Sequence, residues 1–252
     1  MFFESHAHYD DERYDSDRDD LLLALDDNGV DTVINIGTSV NSSMASIRLA
    51  EQYGFVYATV GVHPHEAKTL NNDELAKLKA LAAHPKCVAV GEIGLDFYHD
   101  LSPRDIQRKC FARQLEMAFE VGKPVVIHSR DASQEVFGII KDSRARSGVI
   151  HCFSDSAEMA YEYVGMGFYL GIGGIVTFNK SRKLAEVVYK TPLDALLLET
   201  DCPYLTPTPY RGQRNESKYL SFIAAKIANI KNTTIENVAE ITARNAANLF
   251  LS

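Results

Sequence analysis

Closely spaced cysteines are absent from this sequence, and so is a recognisable secretory leader. The four cysteines form no CxxC pair and lie far apart, at Cys87, Cys110, Cys152 and Cys202. The first residues, MFFESHAHYDD, contain neither a basic segment nor an apolar core of the kind that directs secretion. These features predict reduced, mostly buried thiols in a reducing compartment. We therefore expect a cytoplasmic protein.

Long apolar runs and an excess of positive charge are absent as well. The longest conspicuous stretch without charge, 165–179, contains five glycines and is too short to cross a bilayer, so no membrane association is expected. The net charge of −8 argues against a surface that coats nucleic acid through bulk electrostatics. Any phosphate binding should therefore be confined to a local pocket. No feature points to an obligate protein partner.

The glycine-rich loops of nucleotide-binding enzymes are missing, because neither GxGxxG nor GxxxxGK[ST] occurs. Instead, short apolar runs rich in β-branched residues alternate with stretches of helical periodicity. Strands are predicted at 2–5, 32–36, 56–60, 88–92, 124–128, 149–151, 168–172 and 196–201. Helices are predicted at 17–28, 42–53, 73–83, 103–121, 132–141, 157–166, 181–190, 216–230 and 235–249. Eight such units without a linker or repeat predict an α/β fold, a single (β/α)8 TIM barrel over residues 1–252.

Several helix boundaries are marked by capping residues. Ser102 before Pro103 predicts an N-cap followed by a proline in the first turn of the helix. Glycines that follow helical stretches predict left-handed helix ends, at Gly29, Gly54, Gly122 and Gly167.

Residues that bind metals recur where the apolar runs end, and one explanation for all of them is a divalent-metal site in a hydrolase. The set is His6, His8, Glu92, His128, His151 and Asp201. In a (β/α)8 barrel, the carboxyl ends of the strands meet at one mouth, so residues distant in sequence converge there. His6 and His8 are two residues apart and, in extended chain, project to the same side. A buried Asp201 also needs a cation or a hydrogen-bond partner.

Each of these residues considered alone has an ordinary structural explanation. His128 and His151 follow β-branched runs, where a histidine is commonly a hydrogen-bonded core residue. An isolated HxH pair is weak evidence for a metal, and Glu92 alone could be a solvated loop acid. The metal interpretation depends on the whole set.

The residues that carry the strongest similarity are eight motifs in order along the chain: SHAH at 5–8, GVHPH at 61–65, GEIGLDF at 91–97, HSRDA at 128–132, HCFS at 151–154, ETDCPYL at 199–205, RGQRNE at 211–216 and NAANLF at 245–250. With these motifs, the chain resembles the TatD-type metal-dependent deoxyribonucleases, within the broader amidohydrolase-like superfamily of barrels. The resemblance covers essentially the whole sequence.

The resemblance implies phosphodiester hydrolysis at a site that holds two divalent cations, Zn, Mn or Mg. It implies that His6 and His8 bind one cation, Glu92 bridges both, and His128 and His151 hold the second. Asp201 would bind metal and handle the proton of the attacking water, which makes Asp201 and Glu92 the catalytic pair. Two such cations stabilise the attacking and leaving oxygens of a phosphodiester. The implied activity is a deoxyribonuclease that acts on single-stranded DNA or strand ends, with 3′–5′ exonuclease as one mode. Exonuclease versus endonuclease cleavage, strand polarity and DNA versus RNA stay open at this point.

Substrate phosphate contacts are assigned to one histidine and three arginines. His63 resembles a pocket residue of the family that hydrogen-bonds phosphate, although a loop histidine would look the same. Arg130, Arg211 and Arg214 carry guanidinium groups whose paired N–H donors match phosphate oxygens. For Arg211 and Arg214, a solvated loop is an equally good interpretation.

Three positions depart from the family pattern, and two other functions remain open. Glu4 stands where Asp is expected before the HxH pair, which leaves the hydrogen bonds of that carboxylate uncertain, and Asp155 and Ser217 replace a frequent Gly and Pro.

One alternative is an amidohydrolase-like enzyme that acts on a small amide, lactone or phosphoester, because fold does not fix substrate. A bridging lysine at the position of Glu92 would favour it. The other alternative is a noncatalytic nucleic-acid-binding barrel.

Overall fold

The computed structural model describes all 252 residues, and parallel strands alternate with helices throughout the chain. The strands are β1 (Phe2–Ala7), β2 (Val30–Asn35), β3 (Val56–Val60), β4 (Cys87–Asp96), β5 (Val125–Arg130), β6 (Gly148–Ile150), β7 (Phe168–Ile172) and β8 (Leu196–Leu198). They follow chain order in one eight-stranded sheet. This succession is the predicted (β/α)8, or TIM-barrel, fold.

Nine α-helices separate and follow the strands. They are α1 (Arg18–Leu23), α2 (Val40–Gln52), α3 (Asn72–Ala82), α4 (Arg104–Val121), α5 (Ser133–Asp142), α6 (Ala157–Gly165), α7 (Arg182–Lys190), α8 (Leu220–Lys231) and α9 (Ile235–Phe250). The stretch predicted as one helix at 17–28 is α1 followed by a 3₁₀ turn, and the one predicted at 216–230 is a 3₁₀ turn followed by α8. No helix is both long and apolar enough to cross a membrane.

The chain divides into two compact units, and both are discontinuous in sequence. The first comprises Met1–Ile34, Cys152–Gly165 and Tyr169–Ser252, and the second comprises Asn35–His151 and Met166–Phe168. In the first unit, β7 pairs with β8, and Ala7 at the end of β1 bridges to Cys202. In the second unit, β3, β4, β5 and β6 pair in succession. Every residue of β4 is buried, which explains why the strand consists of apolar and small residues apart from Glu92 and Asp96.

The strand bounds correct the predicted positions of the candidate ligands. β4 runs on to Asp96, so Glu92 lies inside the strand rather than at its end. His6 and His128 likewise lie inside β1 and β5. In contrast, β8 ends three residues before Asp201, which lies in the following loop. The runs predicted for β4 and β5 stop at the first polar residue, whereas the backbone pairing continues beyond it. The run predicted at 196–201 instead extends past the end of β8.

The predicted caps were partly correct. Gly29, Gly122 and Gly167 have positive φ angles, as predicted, but Gly54 does not, and α2 ends at Tyr53 in an extended conformation. The N-cap prediction for Ser102 is wrong, because its hydroxyl donates a hydrogen bond to the carbonyl oxygen of His65 (2.8 Å) and makes no capping bond to α4.

Candidate metal centre

In the first unit, two imidazoles and a carboxylate form a set that we call the HxH cluster, which consists of His6, His8 and Asp201. The Nε2 atoms of His6 and His8 are 3.2 Å apart. The Oδ1 atom of Asp201 lies 3.8 Å from the Nε2 of His6 and 3.5 Å from the Nε2 of His8. Both histidines are buried, and the Asp201 side chain is only 14% exposed. The structure therefore brings Asp201 beside two histidines from which the sequence separates it by almost two hundred positions.

Backbone pairing beyond the end of β8 holds Asp201 against the histidines. The amide of Asp201 donates to the carbonyl oxygen of His6 (3.0 Å), and the amide of His8 donates to that of Cys202 (2.8 Å). Asp201 itself has a φ of 58°, an uncommon left-handed conformation for a residue other than glycine. The carboxylate is thus directed by a main-chain segment fixed at Asp201 itself and at Cys202.

Glu4, which stands where the family pattern has Asp, is completely buried beside the HxH cluster. Its carboxylate accepts hydrogen bonds from the Thr200 amide (2.9 Å), the Thr200 hydroxyl (2.6 Å) and the His6 amide (3.2 Å). Burial raises the pKa of Glu4 to about 8, although these hydrogen bonds act in the opposite direction. Glu4, whose side chain is one methylene longer than that of Asp, therefore still connects β1 to the segment that leads to Asp201.

In the second unit, three histidines surround one carboxylate in what we call the Glu92 cluster, which consists of His63, Glu92, His128 and His151. The Oε1 atom of Glu92 lies 2.8 Å from the Nδ1 of His128, 3.3 Å from the Nε2 of His151 and 3.6 Å from the Nε2 of His63. The Glu92 side chain is 4% exposed. His63, predicted as a phosphate contact, is placed here where it could equally be a metal ligand.

A β-bulge in β4 and a glycine next to it shape the Glu92 cluster. Val90 pairs with Val125 and Ile93 with Ile127, so three steps along β4 match two along β5, and Glu92 falls in the bulge. Bulges often occur beside functional sites, where they redirect a side chain. Gly94 is the partner of His128 and has a φ of +148°. A Cβ atom on Gly94 would stand 1.9 Å from the carbonyl oxygen of His128, so only glycine permits this approach.

Asp96 is a buried acid that the sequence prediction missed. Its Oδ2 atom lies 3.3 Å from the Nε2 of His128, on the side of the ring opposite the atom that faces Glu92. Burial disfavours the charged form, but hydrogen bonds from His128, His99 and His65 outweigh it and hold the pKa of Asp96 below its ordinary value. For His128, burial lowers the pKa, and the bonds to Asp96 and Glu92 raise it overall. A carboxylate on one imidazole nitrogen fixes the proton there and leaves the other nitrogen as a ligand atom.

The three arginines predicted to bind phosphate each stack on an aromatic ring. The distances from guanidinium to ring centre are 4.4 Å for Arg130 on Tyr98, 4.0 Å for Arg211 on Phe178 and 4.7 Å for Arg214 on Tyr14. Arg211 also donates to the Thr206 carbonyl oxygen (2.9 Å). Arg214 forms a two-pronged pair with Asp17 at 2.8 and 2.6 Å, which raises its pKa. Its fork is therefore already bound by a carboxylate, whereas Arg130 and Arg211 have no acidic partner of this kind.

The donor atoms of both clusters suit a divalent transition metal. Zinc binds imidazole nitrogen at about 2.0–2.1 Å, and tetrahedral geometry then separates two nitrogens by about 3.3 Å. The separation of 3.2 Å in the HxH cluster fits this value. In the Glu92 cluster, the ligand atoms of His63, Glu92 and His128 lie within 4.8 Å of one another. Mixed imidazole and carboxylate donors favour zinc, manganese or related metals over calcium. The residues present therefore fit a bound cation in each unit.

Comparison with known proteins identifies relatives across the whole chain. A family model described as TatD related DNase matches residues 3–251. The metal-dependent hydrolase YabD of Bacillus subtilis, itself uncharacterized, is 43% identical over 252 residues, 99% of each chain. The 3′-5′ ssDNA/RNA exonuclease TatD of Cronobacter turicensis is 36% identical over 247 residues, 95% of this chain and 94% of that protein. The crystal structure of YJJV, a TatD homologue from Escherichia coli K12, superimposes with a TM-score of 0.94 at 30% identity, covering 100% and 98% of the two chains.

The fold, the ligand sets and these relatives define a metal-dependent hydrolase built on a (β/α)8 barrel. The chain belongs to the TatD-related DNase family.

Proposed function

We propose that this protein is a divalent-metal-dependent deoxyribonuclease that removes nucleotides from the 3′ end of single-stranded DNA or of exposed strand ends. The family and the relative named as a 3′-5′ ssDNA/RNA exonuclease support a nucleic-acid substrate. The main structural support is the presence of one imidazole and carboxylate set in each compact unit, the HxH cluster and the Glu92 cluster. Each set fits one cation, so we propose two cations in one catalytic domain that comprises the whole chain.

The cations would supply Lewis-acid chemistry, because they lower the pKa of a water molecule and neutralise charge on a phosphodiester. His6 and His8 would hold one cation, and His128 and His151 the other. The bridging role of Glu92 and the proton-accepting role of Asp201 stay predictions from the family resemblance. Asp201 suits its role because its carboxylate is only 14% exposed and is held by main-chain bonds. A carboxylate held within hydrogen-bond reach of the reacting water would serve as a general base.

Arg130, Arg211 and His63 would contact the phosphates of the substrate. Arg130 and Arg211 place their guanidinium groups over aromatic rings, and N–H donors of the groups remain for an anion. Because the whole chain carries a charge of −8, such local contacts must compensate for general repulsion of DNA. Zinc and manganese are the proposed metals, with magnesium as a weaker substitute. A cytoplasmic location also remains part of the proposal.

The test is a cleavage assay with protein reloaded with Zn²⁺, Mn²⁺ or Mg²⁺ in parallel. Single-stranded DNA, duplex DNA and RNA, each labelled at the 5′ end, are resolved at single-nucleotide length. The proposal expects a ladder of 5′-labelled products that shorten one nucleotide at a time, fastest for single-stranded DNA. Release of the labelled 5′ nucleotide first would overturn the polarity, and faster cleavage of RNA would overturn the substrate preference.

Matched variants separate this activity from a contaminating nuclease. His6→Ala should abolish cleavage, because it removes a ligand of the HxH cluster. His84→Ala should cleave normally, because His84 pairs with the exposed Glu51 at 3.3 Å and belongs to neither cluster. Equal activity in both variants, or none in the reloaded wild type, would contradict the proposed function. Hydrolysis of a small amide, lactone or phosphoester without DNA cleavage would favour the amidohydrolase alternative.

A further inference from the structure

We propose that this protein has an additional cation site, formed by His65, Asp96 and His99, which binds a divalent transition metal and which the HxH and Glu92 clusters do not include. We call these three residues the Asp96 cluster. The Oδ2 atom of Asp96 lies 2.8 Å from the Nε2 of His65 and 3.0 Å from the Nδ1 of His99. The three ligand atoms all lie within 4.8 Å of one another. Two imidazoles and one carboxylate with open positions form a ligand set that iron, zinc and manganese occupy in enzymes.

The carboxylate at the centre of the Asp96 cluster is fixed in place before any cation binds. Its Oδ1 atom accepts hydrogen bonds from the amides of Tyr98 (3.0 Å) and His99 (2.8 Å). The Asp96 main chain is tied at both ends to Gln107, whose amide oxygen accepts from the Asp96 amide (2.9 Å) and whose amide nitrogen donates to the Asp96 carbonyl oxygen (3.1 Å). One carboxylate oxygen is therefore used by the backbone, and the other is presented to the imidazoles.

The two histidines are also held at the correct distance. His65 lies in the 3₁₀ turn at Pro64–Thr69, and its carbonyl oxygen accepts a hydrogen bond from Ser102 (2.8 Å). His99 is held through its own amide, which bonds to Asp96. The two rings meet edge to face, with centres 5.1 Å apart. Preorganised ligands of this kind lose little conformational freedom when a metal binds.

Exposure distinguishes the Asp96 cluster from the two buried clusters. The side chain of His65 is 28% exposed and that of His99 is 44% exposed, whereas Asp96 is 1% exposed. A cation could thus enter from solvent and would keep water or an anionic oxygen in its open positions. Three ligands with partial exposure should bind more weakly than the buried clusters, so this site should be the last to fill.

The Asp96 cluster does not depend on the proposed nuclease reaction, because cation binding there is measured without substrate. The full-length protein is stripped of metal, dialysed against chelator-buffered Zn²⁺ at a series of free concentrations, and analysed for zinc per chain. We expect His99→Ala to bind one ion fewer than the wild type at high free Zn²⁺, with the tighter ions unchanged. His84→Ala, which removes another partly exposed histidine that belongs to no cluster, should bind as many ions as the wild type.

Three outcomes would overturn this proposal. The first is equal zinc content in wild type and His99→Ala at every concentration. The second is an equal loss in His84→Ala, which would indicate nonspecific surface binding. The third is loss of the tight ions in His99→Ala, which would make His99 part of the clusters already described. If His99→Ala does not fold, His99→Gln, which keeps a hydrogen-bond donor toward Asp96 but lacks the imidazole, replaces it. Absence of nuclease activity would leave the zinc count interpretable.

Discussion

Gly94 is the position at which a single added methyl group should disturb both the sheet and the Glu92 cluster. The Cβ atom of alanine would stand 1.9 Å from the carbonyl oxygen of His128. Contacts between carbon and carbonyl oxygen are normally about 3.3 Å or longer, so β4 and β5 would have to separate by about 1.4 Å. That movement would shift His128, whose ring contacts Glu92 on one side and Asp96 on the other.

Two costs add in the Gly94→Ala variant. A side chain at a φ of +148° costs about 1–2 kcal/mol relative to glycine. Overpacking in a buried strand costs a further 1–3 kcal/mol, approximately. The free energy of unfolding should therefore fall by about 2–5 kcal/mol, and for a chain of this length Tm should fall by roughly 4–20 °C.

Urea unfolding of the metal-free protein measures the loss of stability. Zinc retention after gel filtration measures the disturbance of the Glu92 cluster. Gly138→Ala is the matched control, because Gly138 lies inside α5 and a Cβ there meets nothing within 4 Å. In a helix this change should stabilise the protein by about 0.5–1 kcal/mol. If Gly94→Ala unfolds at the same urea concentration as the wild type and keeps its zinc, the close approach of β4 to His128 does not constrain the site.

Three further predictions test the metal and phosphate assignments. Asp201→Asn should retain most of its metal and lose about 10²–10⁴ in kcat, as expected for a missing general base; near-normal turnover would remove Asp201 from the reaction. Chelation should lower Tm, because a cation at 100 times its Kd stabilises the folded state by about 2.7 kcal/mol. In Glu92→Gln, chelation should lower Tm by less than it does in the wild type. An equal decrease in Tm in both proteins would exclude Glu92 as a ligand. Asp17→Ala should release the guanidinium group of Arg214 and tighten binding of single-stranded DNA. Asp15→Ala, which removes an exposed partner of Arg18, should not change that binding. If both variants bind single-stranded DNA with the affinity of the wild type, Arg214 lies outside the phosphate contacts.

The order of strands and helices was predictable from the sequence because parallel strands buried on both faces leave continuous apolar runs. Strand ends were less predictable. The apolar run predicts a strand that ends at Glu92, but β4 continues through the bulge to Asp96. A bulge interrupts the two-residue alternation from which strand faces are inferred.

Asp96 was missed for the same reason, and two of its neighbours were missed with it. If the predicted strand had extended past Glu92, it would have placed Asp96 beside Arg130, which lies two residues beyond His128 on β5. Asp96 would then have been predicted as a site residue. His65 and His99 lie five and three residues beyond the ends of β3 and β4. They are therefore outside the predicted runs at 56–60 and 88–92, and a search limited to the ends of those runs could not select them. The pairing of Arg214 with Asp17 was also beyond prediction, because it joins residues 197 positions apart through side chains alone.

Stacking on aromatic rings has a consequence for how quickly and how selectively the arginines can act. A solvent-exposed arginine samples many rotamers and loses about 1.5–2 kcal/mol of side-chain entropy when a ligand immobilises it. Arg130 and Arg211 are exposed, but each guanidinium group lies over a ring, of Tyr98 or of Phe178, and this contact restricts part of that freedom in the folded protein. Binding of a phosphate by these arginines should therefore cost less side-chain entropy. It should also depend more strongly on the direction from which the strand approaches. A polynucleotide whose backbone does not meet a stacked guanidinium group would have to distort to be bound by it, so each of these two arginines would select for backbone geometry.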